Sequence, residues 1–379
     1  GTCCGSKLKL SALCIVAWFT SMPYTQKRLD GFFAPASRKS PESHCSSQAE
    51  ASTEISSGPI DLSSQRDDAQ MSEQPFARRW KKKRPVSTIE PPVDQQEPQR
   101  KVKLSNGVDF PLLGFGTWSL HGSELCAALA VAVKAGYRLI DTSSAYGNEA
   151  AIGNTMKELG CADEVVLQSK IGPRHMGREK ARQTALNSIR SLGRLDILLI
   201  HWPGRSRQQR FATWQVLEEL YSEGRVRAIG VSNFLPEHIE GLMKDGAKIK
   251  PMLNQFELHP LCQSHSIVKY CQQNGIAIQS YSTLGGGPAK GSIRLENGTG
   301  ILLGHPVVAS ISQETCRSCA CVCLRWAIQQ SFGVIPKSRS LEHVQNNAEA
   351  FDFELTDDQM RRLQSLDQDH HFAWDPRSL

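Results

Sequence analysis

Four things are missing from this 379-residue sequence, and each absence removes a class of function. There is no bilayer-length apolar run. The segment Leu10–Phe19, with Lys7 and Lys9 ahead of it, spans ten residues, whereas a membrane-crossing helix needs about 20. There is no basic domain: residues 1–99 carry 13 Lys and Arg against 11 Asp and Glu, leaving 31 against 27 for the rest of a net charge of +6. That balance predicts no direct contact with nucleic acid. There is no regular cysteine framework among the 12 cysteines, so they read as reduced, intracellular thiols. Finally, no G-x-S-x-G, H-E-x-x-H or comparable metal spacing occurs, which removes the serine nucleophile of that motif and a bound catalytic zinc.

One cysteine cluster does invite a metal reading. Cys316, Cys319, Cys321 and Cys323 fall in a stretch predicted as one helix over 314–330, and four thiolates on one continuous helix cannot converge tetrahedrally on zinc. They read as small buried residues, and no metal is expected.

Residues 1–99 are read as an extension in front of a single folded domain over 100–379. Leu10–Phe19 has the size of a signal-peptide core but no convincing small-x-small cleavage site follows it. Gln26-Lys-Arg-Leu-Asp-Gly-Phe-Phe33 resembles the sliding-clamp interaction box of replication and repair proteins. The resemblance implies that Leu29, Phe32 and Phe33 form a hydrophobic plug, with Gln26 hydrogen-bonding beside it. Residues 34–99 are rich in Ser, Pro, Gln and Glu with two aromatics, Phe76 and Trp80; they are expected to be disordered. Within them, the basic run Arg78–Arg84 has the composition of a nuclear-localisation patch. A cytoplasmic monomer is expected. The basic run raises a nuclear location as an alternative, and the apolar segment a secretory or organellar one.

From about residue 100 the pattern changes. Val102–Phe110 alternates around Asn106-Gly107 and predicts a hairpin. Apolar strand, polar loop and amphipathic helix then repeat eight times. Strand cores are predicted near 112–117, 137–140, 165–169, 195–200, 227–232, 251–256, 276–281 and 332–336. Helices are predicted near 123–135, 149–159, 179–191, 211–223, 236–244, 263–274, 314–330 and 341–350. Eight such units in about 250 residues predict a parallel (β/α)8 barrel. An open doubly wound sheet is disfavoured, because Gly114-Phe-Gly-Thr lacks G-x-G-x-x-G spacing.

In such a barrel the chemistry sits where strands end. Tyr137–Ile140 reads as a buried strand, so Asp141 and Tyr146 fall on the loop that leaves it, with Asn148 placed to cap the helix opened by Glu149. Taken alone, an acid and a tyrosine there would read as structural. The next strand ends in Gln168-Ser-Lys170 and the one after in Ile200-His201-Trp-Pro. An acid, a phenol, an amine and an imidazole then share one mouth. That set suits protonation of an oxygen that becomes negative: a nearby ammonium lowers a phenol's pKa from about 10, and neutral His201 can orient the oxygen. Asp141 would keep Lys170 charged. The electrons must come from outside the protein.

Residues from about 100 to 379 resemble the aldo-keto reductase family. The resemblance lies in Leu113-Gly-Phe-Gly-Thr-Trp118, Asp141-Thr-Ser-Ser-Ala-Tyr-Gly-Asn-Glu149, Leu199-Ile-His-Trp-Pro203, Ile229-Gly-Val-Ser-Asn-Phe234, Asn254-Gln-Phe-Glu-Leu-His-Pro260, Leu324-Arg-Trp326 and Ile335-Pro-Lys-Ser338. It implies reduction of aldehydes or ketones by hydride transfer from NADPH, with Asp141, Tyr146, Lys170 and His201 as a catalytic tetrad and Tyr146 as general acid; the alternative is a barrel that acts as a non-catalytic binding or regulatory protein with a clamp-interacting tail. It also implies that Tyr281 stacks on the nicotinamide and that Ser232, Asn233 and Gln255 bind its carboxamide. Gly116, Thr117 and Trp118 would line the mouth, and the pyrophosphate would pass Ser282, Leu284 and glycines 285–287. Lys337 and Ser338 would hold the 2′-phosphate, and Asn347 the adenine. Trp118 and Trp202 are the expected aromatic walls of the substrate pocket. His343 stands where family members often carry arginine, which leaves NADH as the less favoured alternative, and Thr283 replaces the usual proline.

Overall fold

The computed structural model describes residues 100–286, 300–373 and 375–378. The apolar segment at 10–19, the clamp-like box of Gln26, Leu29, Phe32 and Phe33, the basic run at 78–84 and Gly287 lie outside them.

Order begins with the predicted hairpin. β1 (Lys101–Lys103) pairs antiparallel with β2 (Asp109–Pro111). The turn closes through Leu104 N to Val108 O at 2.9 Å and places Gly107 at φ 85°, a conformation that favours glycine. The hairpin presents Phe110, fully buried, to the last barrel strand. A side-chain carbon at Gly333 would meet the Phe110 ring at 2.7 Å, so close packing at this end requires glycine.

Eight parallel strands follow: β3 (Gly114–Gly116), β4 (Leu139–Asp141), β5 (Val166–Ile171), β6 (Ile197–Ile200), β7 (Ala228–Ser232), β8 (Leu253–Glu257), β9 (Ala277–Tyr281) and β10 (Gly333–Val334). Each pairs with its sequence neighbour. β3 meets β10 through a Leu113–Val334 bridge and Gly116 N to Pro336 O at 3.1 Å, which closes the barrel. The sequence reason is plain in β6, Ile-Leu-Leu-Ile, buried at every position: a strand lined by barrel interior on one side and helices on the other has no wet face.

The outer helices are α1 (Gly122–Lys134), α2 (Glu149–Glu158), α3 (Arg178–Leu192), α4 (Arg207–Ser222), α5 (Pro236–Lys244), α6 (His265–Gln273), α7 (Pro306–Thr315), α8 (Cys319–Ile328), α9 (Leu341–Ala348) and α10 (Asp357–Gln364). Among the described residues, no helix is long and apolar enough to cross a membrane.

Two expectations are corrected. The single helix over 314–330 is two helices. Pro306 starts α7, Cys316 ends it in the left-handed region at φ 52°, and Ser318 caps α8 by accepting from Cys321 N at 3.1 Å. Only three of the four clustered cysteines therefore share a helix; Cys316 lies outside it and is exposed. Asn148 does precede α2, but its side chain makes no cap. Buried, it donates instead to Thr117 O at 2.9 Å and Leu120 O at 3.2 Å and accepts from Thr142 at 2.6 Å. It thereby ties the β3 and β4 exits together.

Candidate active site

The β4, β5 and β6 exits place the four predicted residues at one mouth. Asp141 ends β4 and Lys170 lies one residue before the end of β5. Their side chains, 3% and 0% exposed, meet at 2.7 Å. Lys170 Nζ also donates to Thr142 O at 2.9 Å. Burial pulls the lysine's pKa below its ordinary value, opposed by the Asp141 carboxylate and, further off, Glu149.

The second oxygen of Asp141 rests on a floor of glutamines. Gln168 Nε2 at 2.6 Å and Gln255 Nε2 at 3.0 Å both donate to Oδ1, and each also donates to Gln279 Oε1 at 2.7 Å. Gln168 Oε1 and Gln279 Nε2 remain buried without partners. Flipping either amide would set like against like, so these two orphans are the cost of giving Asp141 two donors.

Tyr146 stands over this pair. Its ring lies edge-on to His201 at 5.7 Å between centroids, and the Lys170 ammonium is 5.3 Å from the ring centre. Among the described residues no hydrogen bond reaches its hydroxyl. The expectation of a lowered phenol pKa is corrected: burial, and then the Asp141 charge, push it well above 10. Lys170 is already matched by Asp141, so little net positive charge is left to favour a phenolate. His201 moves the other way. Burial and the Lys170 charge hold it well below 6.5, which keeps the ring neutral. Its Nδ1 faces Ser143 Oγ at 3.0 Å.

The other expected residues fall into distinct groups. Asn233, in the left-handed region at φ 63°, donates to His201 O at 3.0 Å and Ser232 Oγ at 3.1 Å and accepts from the Tyr281 hydroxyl at 2.7 Å. Gln255 joins them with only its carbonyl oxygen left over, since its amide hydrogens serve Asp141 and Gln279. Thr117 Oγ1 donates to Asp141 O at 2.9 Å, and its neighbour Gly116 lies against Ile335 O. Trp118 is 43% exposed and Trp202 9%. Ser282 is left-handed at φ 52° and Leu284 follows it, half-buried.

Beyond β10, Lys337 is half-buried, and burial and then the Arg339 charge depress its pKa. Ser338 Oγ accepts from Ser340 N at 3.0 Å, and Arg339 reaches across to Glu124 at 3.2 Å. Asn347 is buried near the Tyr137 phenol, whose hydroxyl donates to Val344 O at 3.0 Å.

Sequence reasoning missed Ser143, Gln279 and a clasp at the C-terminal end. Buried Glu257, at the end of β8, accepts from Phe372 N at 2.7 Å, Ala373 N at 3.1 Å, His259 at 3.2 Å and His371 at 2.9 Å. A cavity of about 240 Å³ beside it is lined by Tyr281, Asn233, Phe256, His371 and Arg377. A glutamine amid the apolar residues of β9 is a signal that was available; the clasp joins residues 114 positions apart and left no local trace.

A model of the Aldo/keto reductase family matches residues 112–368. The chain belongs to the aldo/keto reductase family. It is 40% identical over 280 residues to the 9,11-endoperoxide prostaglandin H2 reductase of Trypanosoma cruzi (strain CL Brener), covering 73% of this chain and 94% of that protein. It is 38% identical over 282 residues to the glyoxal reductase of Bacillus subtilis (strain 168), covering 73% and 96%. Among solved structures it is similar to MGS-M4, an aldo-keto reductase enzyme from a Medee basin deep-sea metagenome library. That match has a TM-score of 0.67 and 32% identity, covering 72% of this chain and 97% of that one. The chain is thus an oxidoreductase of a family that uses nicotinamide cofactors. The match begins at residue 112, downstream of the clamp-like box.

Proposed function

We propose that this aldo/keto reductase is an NADPH-dependent carbonyl reductase in which Tyr146 gives its proton to the oxygen of an aldehyde or ketone. One observation carries the reading. The Tyr146 hydroxyl, uncommitted among the described residues, is held protonated beside a buried Lys170–Asp141 pair and a neutral imidazole. A phenol kept as an acid serves reduction directly. The ion pair turns its ammonium end toward Tyr146, with Lys170 5.3 Å from the ring centre, so the negative charge that develops as the proton leaves meets the positive end of a dipole and not a free cation. Asp141 holds the lysine in place, and the glutamine floor holds Asp141. His201 hydrogen-bonds the substrate oxygen and directs it at Tyr146.

The donor set suits a nicotinamide dinucleotide. Ser232, Asn233 and the carbonyl oxygen of Gln255 form a polar group beside the Tyr281 ring, matched to a carboxamide. Lys337 and Arg339 repel each other, a strain that an anion such as a 2′-phosphate relieves. Ser338 sits between these two cations, and Gly116, Thr117, Ser282 and Leu284 border the path between the two ends. Asn347, buried near Tyr137, is assigned to the adenine end. When bound, the cofactor supplies the hydride. Residues 100–379 are assigned to this catalytic barrel and residues 1–99 to an extension ahead of it.

Trp118 and Trp202 flank the mouth as apolar walls. Together with the glyoxal reductase among the relatives, they point to small aldehydes and dicarbonyls as first substrates to try. The test is consumption of NADPH with a panel of such carbonyls, with Tyr146→Phe alongside. Activity is expected in the parent and a loss of at least about 100-fold in the variant, the scale of a deleted general acid. Cofactor binding without turnover of any carbonyl would refute the proposal.

A further inference from the structure

We propose that Ser143 is a positioning residue that fixes the tautomer of His201: its hydroxyl donates to Nδ1, so that the ring proton stays on Nε2, the nitrogen left to meet the substrate oxygen. The inference rests on the carbonyl-reductase reading only for what Nε2 does; the tautomer follows from counting protons and lone pairs around a buried serine.

Ser143 is fully buried on the loop that leaves β4. Its hydroxyl has one proton to give and two acceptors in reach: His201 Nδ1 at 3.0 Å and Lys170 O at 3.3 Å. The carbonyl is already supplied. Ser144 Oγ donates to Lys170 O at 2.9 Å and Ser144 N donates to it at 3.2 Å, which fills its two lone pairs. A third donor at 3.3 Å would be the poorest of the set. Nδ1 has no other donor among the described residues. The oxygen of Ser143 also accepts from Ala145 N at 3.2 Å, and this fixes where its lone pairs and therefore its proton point.

The alternative, with Nδ1–H donating to Ser143 and Ser143 donating to Lys170 O, overcrowds that carbonyl. It also leaves His201 presenting a lone pair to the mouth. A lone pair there would repel a carbonyl oxygen and compete with it for the Tyr146 proton. An N–H at the same place attracts the oxygen. Because the ring is held neutral, it carries one proton, and fixing Nδ1 as acceptor fixes Nε2 as donor. No hydrogen bond to Nε2 occurs among the described residues, so the donor is unspent.

The experiment is ¹⁵N NMR of the full chain labelled at histidine, with the His201 signals identified by their loss in His201→Gln. The parent is expected to show a pyridine-like Nδ1 and a pyrrole-like Nε2. Ser143→Ala is expected to move both signals toward the average of the two tautomers and to lower kcat for carbonyl reduction roughly 3- to 10-fold, the scale of one hydrogen bond. KM for the cofactor should be unchanged. Ser144→Ala touches no imidazole but frees one lone pair of Lys170 O, which gives the Ser143 proton a second home; it is expected to move the same signals in the same direction, by less. A pyrrole-like Nδ1 in the parent would overturn the inference, as would unchanged signals in Ser143→Ala. If the signals behave as expected and no carbonyl is turned over, the assignment of Ser143 stands and the proposed activity falls.

Discussion

Replacing Glu257 by Gln should cost this barrel about 3–5 kcal/mol of stability, the penalty for leaving one partner of a buried pair uncompensated. The carboxylate is almost fully buried and accepts four hydrogen bonds, two from backbone N–H groups of residues 372 and 373 and two from His259 and His371. An amide can still accept at one oxygen, but its NH2 would face the N–H of His371. Burial alone would raise the Glu257 pKa; hydrogen bonds from His259 and His371 outweigh it and hold it at about 2. Burial alone would likewise lower that of His371, and its hydrogen bonds with Cys262 and Glu257 raise it to about 10. The signs follow from these directions. A depressed carboxylate contributes stability that is present above its unfolded value near 4.5 and lost as pH falls through 2. A raised histidine contributes stability that is complete below 6.5 and lost as pH rises through 10. The clasp is therefore strongest from about pH 4.5 to 6.5. Thermal unfolding of parent and Glu257→Gln between pH 5.5 and 9.5 should give a gap in Tm that is widest at the acid end and narrows steadily toward the alkaline end. A gap that is constant with pH, or no gap, would refute the clasp as an ion pair.

Three further outcomes are expected. Asp141→Asn leaves the buried Lys170 ammonium without its partner and should cost about 3–5 kcal/mol in denaturant unfolding, whereas the double variant Asp141→Leu/Lys170→Met should recover most of that stability and none of the activity. Because His201 is held well below 6.5 and Tyr146 well above 10, kcat/KM for reduction should be flat from about pH 6 to 9, and a break between pH 6 and 7 would show that His201 carries charge. Gly116→Ala places a carbon 2.7 Å from Ile335 O at the seam that closes the barrel; a loss of about 1–3 kcal/mol is expected from overpacking, and an unchanged Tm would mean that the seam yields.

The barrel was legible because its signal is repeated and local. Strands buried on both sides, such as Ile197–Ile200, read as apolar runs, and each was followed by a helix with one apolar face. The meeting of Asp141, Tyr146, Lys170 and His201 at one mouth was legible for the same reason: once a strand's end is known, the residue at its exit is known. What failed was of two kinds, a local break inside a run of helical character and contacts with partners far along the chain. The run from 314 to 330 keeps its helical character across the break at Cys316, and only the left-handed turn and the Ser318 cap divide it. Asn148 has the residue type of a cap, but buried contacts to Thr117 O and Leu120 O claim its side chain. Glu257 and His371 carry no mark of each other in the sequence, since their pairing is made by the return of the chain over the barrel mouth.

The electrostatics of the site reverse one step of the sequence argument. An ammonium beside a phenol lowers the phenol's pKa only if its charge is unspent. Here Lys170 is paired at 2.7 Å with a carboxylate that two further amides stabilise, so the pair presents a dipole to Tyr146 and not a free cation. The phenol stays protonated through neutral pH. That favours the direction in which Tyr146 gives a proton away, because the reverse reaction needs a phenolate that burial and Asp141 oppose. Reduction at pH 7 should accordingly outrun alcohol oxidation, and oxidation alone should speed up as pH rises. Progress curves in both directions between pH 7 and 10 measure this; reduction that slows as pH rises while oxidation stays level would show that a group titrating in that range, and not Tyr146, moves the proton.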